Sequence, residues 1–491
     1  MRQARTEAEL TLTKFAKLCE LSASYMTEIE RGRKYPRADK ILRMADVLGK
    51  SYDDLVSIKM PPSLRYLETT LSSSAFQRFP YEEFGFEAAD LITLLTREPD
   101  KASALLHGML DISRRYGLKE KDFLWAALRS YQEIHENYFQ ELEDEAFSFI
   151  EEFGKKYGLS KTPPVQLQAL DAILQDKYKY VVDTTTIAAT PILGKFRSVF
   201  MQGPQPNLLI NSALWPRQVK FMLARELGYQ HLKIKDRSTT STPDQINSFG
   251  QIHNDFRAAY FGGALLMPRQ AMLDDIEHLF DQETFQPQLL LTMLDKYDVT
   301  PEMLFYRFSE LIPQFFGIKL HFLRFHHQPN SDRFHLVKEL NMNQLIVPSG
   351  IGAHEHYCRR WLSVRLLNEM PQNGAAARLF DRPHVGVQIS EFVESQDRFL
   401  CLGFSRPLVL SSNVNSSVIV GFRITSDMKR TIRFANDVDI PRVIINETCE
   451  RCPLTAVQCN VRANEPTTLQ EEQLMMARKL ALSQLQERRR G

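Results

Sequence analysis

No run of 18 or more apolar residues interrupts this 491-residue sequence, and its start carries no apolar signal core. The first absence excludes an apolar membrane-spanning helix, and the two together lead to the expectation of a cytoplasmic protein. Net charge is almost lacking: 61 Lys and Arg stand against 60 Asp and Glu, leaving +1 with His neutral. Such a balance excludes a wholly basic nucleic-acid binder but leaves room for a small local DNA-binding head. Cysteine is scarce as well. Six residues in a cytoplasmic chain read as thiols or metal ligands and not as a disulfide framework. Cys19, Cys358 and Cys401 stand apart, whereas Cys449, Cys452 and Cys459 cluster. What is present suffices for a sizeable core, at 43% hydrophobic and 25% charged residues. At roughly 150 residues per domain the length predicts about three domains.

Residues 1–57 read as short helices with tight turns. Thr11 precedes "LTKFAKLCEL", where its hydroxyl can cap the free amides of a helix, and Ser22 does the same for "ASYMTEIERG". Gly32 supplies a left-handed stop. Phe15, Ala16, Leu21, Tyr25, Met26 and Ile29 form a shared core with Ile41, Ala45 and Leu48. The stretch "LTLTKFAKLCELSASYMTEIERGRKYPRADKILRMADVLGKSYDDL" resembles the Xre/Cro-type helix-turn-helix domain, with "IERG", Pro36 and the "LG" at 48–49 in register. The resemblance implies a homodimer on a double-stranded DNA operator, with the helix after Ser22 in the major groove. Ala23, Ser24 and Glu28 then face base edges, and Thr13, Ser22, Arg31 and Lys34 hold phosphates. "MRQART" begins inside the first helix of that domain, so the resemblance implies either an upstream start or a head short by one turn.

Residues 58–158 read as a helical linker or dimerisation region that starts with a proline-broken connection, "KMPPSLRYL". Leu128, Ile134, Tyr138, Leu142, Phe147 and Ile150 recur at helix-like spacing, a stripe expected to be core or dimer seam. After "SKTPP" come the β-rich runs "KYVVDTTTI", "FRSVFMQ" and "PNLLI", then a helix from Trp215 to Ile234 and another through "RAAYFGGALLMPRQ". With "LLMP" at its end, the region 159–280 resembles the ImmA/IrrE-type metallopeptidase-like domain. A zinc peptidase of that frame needs two histidines four residues apart with a glutamate beside the first. Here the frame holds Arg225, Glu226 and Tyr229, with Asp255 at the third-ligand position. Arginine has no lone pair for a metal, and tyrosine must first lose a proton with a pKa of about 10. His231 lies six residues beyond Arg225, roughly 120° around the helix, and His253 has no ligand spacing. The expectation is an Arg225–Asp255 ion pair in the metal's place, no zinc in this domain, and no enzymatic activity.

Residues 281–491 read as an α+β domain. "GIKLHFLRFHHQP", "RFHLVKEL", "GVQISEFVE", "RFLCLGFSRPLVL" and "SSVIVGFRI" alternate with period two, as strands packed on helices do. In "INETCERCPLTAVQCNVRAN", Cys449 and Cys452 are spaced to reach one metal centre, and Cys459 follows. Three thiolates call for a fourth ligand to complete a zinc site or a [4Fe–4S] cluster. Cys358, beside basic residues in "HYCRRW", is the better candidate. Cys401, in an apolar strand, reads as a buried inert thiol. The order of "LRSYQEIHENYFQELEDEAF", "AAYFGGALLMP", "HYCRRW" and "TCERCPLTAVQCNVRA" resembles the short-chain fatty-acyl transcriptional regulators. Two departures are the longer Cys452–Cys459 spacing and Phe422 in "VGFRI", where that family often carries a cysteine.

The resulting expectation is a multidomain chain: an all-α head, a helical connector, an α+β peptidase-like domain and an α+β sensory domain. The resemblance implies a DNA-binding regulator of acetate or propionate metabolism that answers to an acyl-CoA-like effector or to a redox or metal signal. A zinc peptidase that cleaves a repressor, and an antitoxin-like interaction protein, are the alternatives.

Overall fold

The computed structural model describes residues 5–6, 8, 10–30, 34, 36–50, 80–85, 120–241, 248–345, 347, 355–370, 382–411, 413–455, 457–463 and 474–480. They divide into two units: the amino-terminal helices, and residues 80–85 together with those from 120 onward.

The head holds α1 (Leu12–Leu18), α2 (Ala23–Glu30) and α3 (Ala38–Leu48), and the first two start after short polar residues that satisfy free amides, whereas Arg37 before α3 makes no side-chain cap. The Thr11 hydroxyl accepts from the Lys14 amide at 3.3 Å, and the Ser22 hydroxyl accepts from the Tyr25 amide at 3.1 Å. Gly49, at φ +62°, ends α3 in the left-handed region that a glycine adopts without strain. Phe15, Ala16, Met26, Ile29, Ile41, Ala45 and Leu48 are buried as the sequence suggests, and Cys19 and Met44 join them. Leu21 and Tyr25 are only half-buried, with the Lys40 ammonium 4.7 Å above the Tyr25 ring. Gly32 and the linker at 59–67 lie outside the described residues.

The second unit begins with α4 (Glu120–Ile134), α5 (Gln140–Tyr157) and α6 (Leu167–Asp176). A small sheet follows, made of β1 (Val181–Asp183), β2 (Ser198–Met201) and β3 (Asn207–Ile210), with β3 central, parallel to β1 and antiparallel to β2. Then come α7 (Pro216–His231), α8 (Phe249–Leu266), α9 (Arg269–Phe280), α10 (Pro287–Tyr297) and α11 (Pro301–Phe316). Helices α7 and α8 cross at glycines. A Cβ on Gly228 would meet the Ala258 carbonyl at 2.8 Å, and one on Gly262 would meet the Arg225 amide nitrogen at 3.0 Å. Only hydrogen at these positions lets the two backbones approach so closely, which brings Arg225 and Tyr229 against Asp255.

The larger sheet contains β4 (Leu320–His327), β5 (Phe334–Asn341), β6 (His384–Phe392), β7 (Arg398–Pro407), β8 (Asn415–Arg423) and β9 (Arg442–Ile445). Its order is β5-β4-β8-β7-β6-β9, antiparallel except where β9 runs parallel to β6. Before β6, the helix α12 (Leu362–Asn368) covers one face, where Gly386 and Gly403 leave room for Leu366. The other face shares one core with the helices, including Leu128, Leu142, Phe149, Leu223, Phe305, Phe322 and Phe404. Of the apolar stripe, Leu128, Leu142 and Ile150 lie in this core, whereas Ile134 and Phe147 are exposed. Arg307 on α11, fully buried, pairs with Glu143 on α5 at 2.6 Å and with Glu310 at 2.8 Å. Among the described residues no helix is long and apolar enough to cross a membrane.

Candidate functional sites

In the head, Ser22, Ala23 and Ser24 are exposed at the amino end of α2, and Thr13 is exposed on α1. Ser22 spends its hydroxyl acceptor on the cap. Glu28, half-exposed on the same helix as Ala23, pairs with Lys34 at 2.9 Å, so the expected base reader and phosphate holder neutralise each other in the free protein. Arg31 lies outside the described residues. The arrangement offers small side chains on a helix end with free amides, which suits close approach to a groove.

The zincin frame is filled by a polar chain. Tyr229 donates to Asp255 at 2.6 Å and accepts from Arg225 at 2.7 Å, while Arg225 stands 3.6 Å from the second Asp255 oxygen. The expected ion pair is thus present, but with the phenol between its partners. Burial raises the Tyr229 pKa, despite Arg225, so the phenol stays neutral. Asp255 also accepts from the Ser238 amide at 3.1 Å. Glu226, the general-base position, is held by both guanidinium nitrogens of Arg237, one at 2.7 Å, and by the Tyr180 hydroxyl at 2.8 Å. Arg237 itself lies 3.6 Å above the Tyr229 ring. A carboxylate so clamped is engaged by three donors and is poorly placed to take a proton from water, and among the described residues no imidazole borders it. His231 bonds Glu145 at 2.8 Å. His253 stacks among Tyr131, Phe249 and Phe256, where burial and then Arg257 push its pKa down to about 4. Neither histidine joins the frame. Sequence reasoning missed Arg237, which reaches Glu226 from a loop with no helical spacing to reveal it.

Beside this frame, and sharing Arg225 with it, lies a cavity of about 240 Å³ between α7, α8, α11 and the large sheet. Six cations and two carboxylates line it. Glu302 is taken by Arg406 at 2.9 Å and Arg324 at 3.6 Å; burial opposes its ionisation, yet the two guanidiniums hold it well below the usual carboxylate range. Glu310 lies beside Arg307, and burial still pushes it up to about 7. Arg197 and Lys338 remain. Among the described residues no carboxylate lies within 4.0 Å of either, and the Lys338 ammonium rests 3.6 Å above the Tyr306 ring. The sequence carries a signal for this site that alternation alone passes over. Arg324 follows Leu320 and Phe322 at period two, Lys338 precedes Leu340, and Arg406 follows Leu402 and Phe404, so all three cations stand in core-facing register.

Near the carboxy terminus, an antiparallel bridge between Tyr357 and Thr448 sets Cys358 opposite Glu447 and Cys449 opposite His356, with Cys449 and Cys452 close enough to Cys358 to act on its thiol electrostatically. The Cys358 amide donates to Glu447 at 3.2 Å, and the Cys449 amide donates to His356 at 2.8 Å. Arg462 reaches the Cys449 carbonyl at 2.8 Å, and the Ala463 amide points at the Cys449 sulfur at 3.5 Å. Cys358, Cys449, Cys452 and Cys459 are all buried as free thiols. Burial pushes Cys358 up to about 11 and also raises Cys449. Donor type and chain proximity fit a thiolate-held centre, and the amide–sulfur contact favours the anionic form. Among the described residues, however, no three Cys, His, Asp or Glu side chains converge as a ready metal site. Cys401 lies elsewhere in the sheet, its thiol pushed up to about 12 by burial, in keeping with an inert core residue.

Residues 1–56 match the helix-turn-helix domain family, and residues 181–309 match the IrrE N-terminal-like domain. No curated protein matches the sequence. A solved structure described as a Mycobacterium tuberculosis transcriptional regulator is similar at 17% identity, with a TM-score of 0.47, covering 69% of this chain and 93% of that one. The chain is therefore one that carries a helix-turn-helix domain ahead of an IrrE-like, peptidase-type domain.

Proposed function

We propose that this protein is a sequence-specific transcriptional regulator whose second unit senses a signal and does not hydrolyse peptides. The observation that carries the reading is the helix-turn-helix head, with Ala23 and Ser24 exposed at the amino end of its second helix. A homodimer of such heads reads two half-sites of a double-stranded operator. The resemblance to short-chain fatty-acyl regulators supports an acyl-CoA-like effector drawn from acetate or propionate metabolism. The four cysteines support a second input, through zinc or a [4Fe–4S] cluster at Cys358, Cys449, Cys452 and Cys459. An effector shifts DNA binding only by the difference between its affinities for the competent and incompetent states.

Gel-shift titration on the regulator's own upstream DNA tests the head. Ala23→Glu should abolish specific binding, since it sets a carboxylate against the groove and its phosphates. Lys34→Gln should weaken binding to all sequences alike and lower the salt slope by about one. Operator affinity that is identical with and without acyl-CoA, chelator and reductant would remove the sensory part.

The peptidase-type match favours one second reading, a zinc enzyme that cleaves a repressor. Against it stand the Arg237 clamp on Glu226 and the Arg225–Tyr229–Asp255 chain. Metal analysis after replacing Cys449, Cys452 and Cys459 with serine separates the two. Stoichiometric zinc remaining in that variant would favour the enzyme.

A further inference from the structure

The cavity beside Arg225 carries more positive charge than its surroundings neutralise. Glu302 and Glu310 are already committed to Arg406, Arg324 and Arg307, and Arg225 is turned toward Tyr229 and Asp255. Arg197 and Lys338 have no carboxylate in ion-pair contact among the described residues, and burial, followed by Arg324, pushes the Lys338 ammonium down to about 8, so it is still mostly charged at neutral pH. Gathering like charges in a partly enclosed space is unfavourable unless something of opposite sign completes it. Burial, followed by the neighbouring Arg324, pushes the Arg197 guanidinium down to about 10, which leaves it charged at neutral pH.

We infer that this cavity binds a compact polyanion, a phosphate group or a di- or tricarboxylate, gripped between Arg197 and Lys338. Size sets the class of ligand. A cavity of about 150 Å³ admits benzene, so 240 Å³ accepts one multiply charged head group but not a whole nucleotide-bearing cofactor. A free metabolite and the phosphate end of a larger molecule offer the same chemistry here. Guanidinium donors suit both, because they meet phosphate and carboxylate oxygens in pairs. The regulatory meaning of the site rests on the sensory reading above, but anion binding does not. A head unable to hold DNA would leave the following measurements unchanged.

The test is calorimetric titration and thermal melting of the full-length protein with pyrophosphate, citrate and coenzyme A, against sodium chloride at equal ionic strength. The expected result is a saturable rise in Tm with pyrophosphate or citrate that chloride does not reproduce. Pyrophosphate that binds and displaces coenzyme A identifies a phosphate source; citrate alone identifies a carboxylate metabolite. Arg197→Gln and Lys338→Gln should each weaken binding at least about tenfold. Their Tm without anion should stay level or rise, since each removes an uncompensated charge; a purely structural residue would lower it. The inference is overturned if neither compact anion acts beyond chloride, if coenzyme A binds while both of them fail, or if the double variant keeps full affinity.

Discussion

Tyr229 is the middle member of a donor–acceptor relay that ends on a buried carboxylate. Replacing it with phenylalanine leaves one Asp255 oxygen with only the Ser238 amide and takes an acceptor from Arg225. Tyr229→Phe should cost about 1–3 kcal/mol in urea unfolding, and a loss within error of zero would mean that water already serves these atoms. The double change Arg225→His with Tyr229→His sets two imidazoles four residues apart beside Asp255 and should acquire zinc by metal analysis. Hydrolysis should still be absent while Arg237 holds Glu226. Acid should act through His321, buried and 3.2 Å from the Asn343 side chain, with burial lowering its pKa from 6.5 to about 4. Between those values the unfolded chain takes up a proton that the folded one refuses. Stability from this residue is therefore full above pH 6.5 and falls as pH drops toward 4, by roughly 3 kcal/mol. Comparing urea curves of His321→Asn with the parent across that range should show a flatter acid limb. At this scale the Arg225–Asp255 pair was legible, because the resemblance to the peptidase frame sets both residues at ligand positions of one site. Arg237 was not, because nothing in a loop sequence says which carboxylate its tip will reach.

Neighbouring glycines on one helix do opposite things. A methyl on Gly262 would press on the backbone of the crossing helix at Arg225, while one on Gly263 would meet nothing within 4 Å. Gly262→Ala should lose about 1–3 kcal/mol through forced separation of the helices. Gly263→Ala should gain up to about 1 kcal/mol, because alanine gives up less freedom in a helix than glycine. Equal effects in a denaturant titration would deny that the helices touch at Gly262. Elements were legible where a physical period ran long enough: β4 to β8 showed alternation, and the caps at Thr11 and Ser22 named two helix starts. Strand β9 stayed hidden because "RVII", one arginine and three apolar residues, is too short to show a period and gains its partner, β6, only in three dimensions. The cation-lined cavity escaped for a related reason. Each strand showed one charge in an inward register, but only sheet order brings Arg324, Lys338 and Arg406 to a common end.

At the scale of the molecule, the sequence indicated the head clearly, since a small core and its caps are local. The later stretches were harder to divide, because one core draws on residues from Leu124 to Ile440. Composition changes along a chain mark elements well and mark shared interiors poorly. The Arg307 cluster makes the point in charge: Glu143 comes from the connector helix, and Arg307 and Glu310 come from the helix beneath the large sheet. That cluster constrains dissection of the protein. A fragment cut at Gly158 would retain every strand yet strand a cation in a dry interior with half its counter-charge, a loss on the order of 3–5 kcal/mol. Such a piece should bind hydrophobic dye and unfold without a sharp transition, whereas one cut ahead of Glu120 should melt cooperatively. Ligand work on the part that holds the large sheet therefore has to carry the connector along, since a trimmed sheet would report on its own collapse.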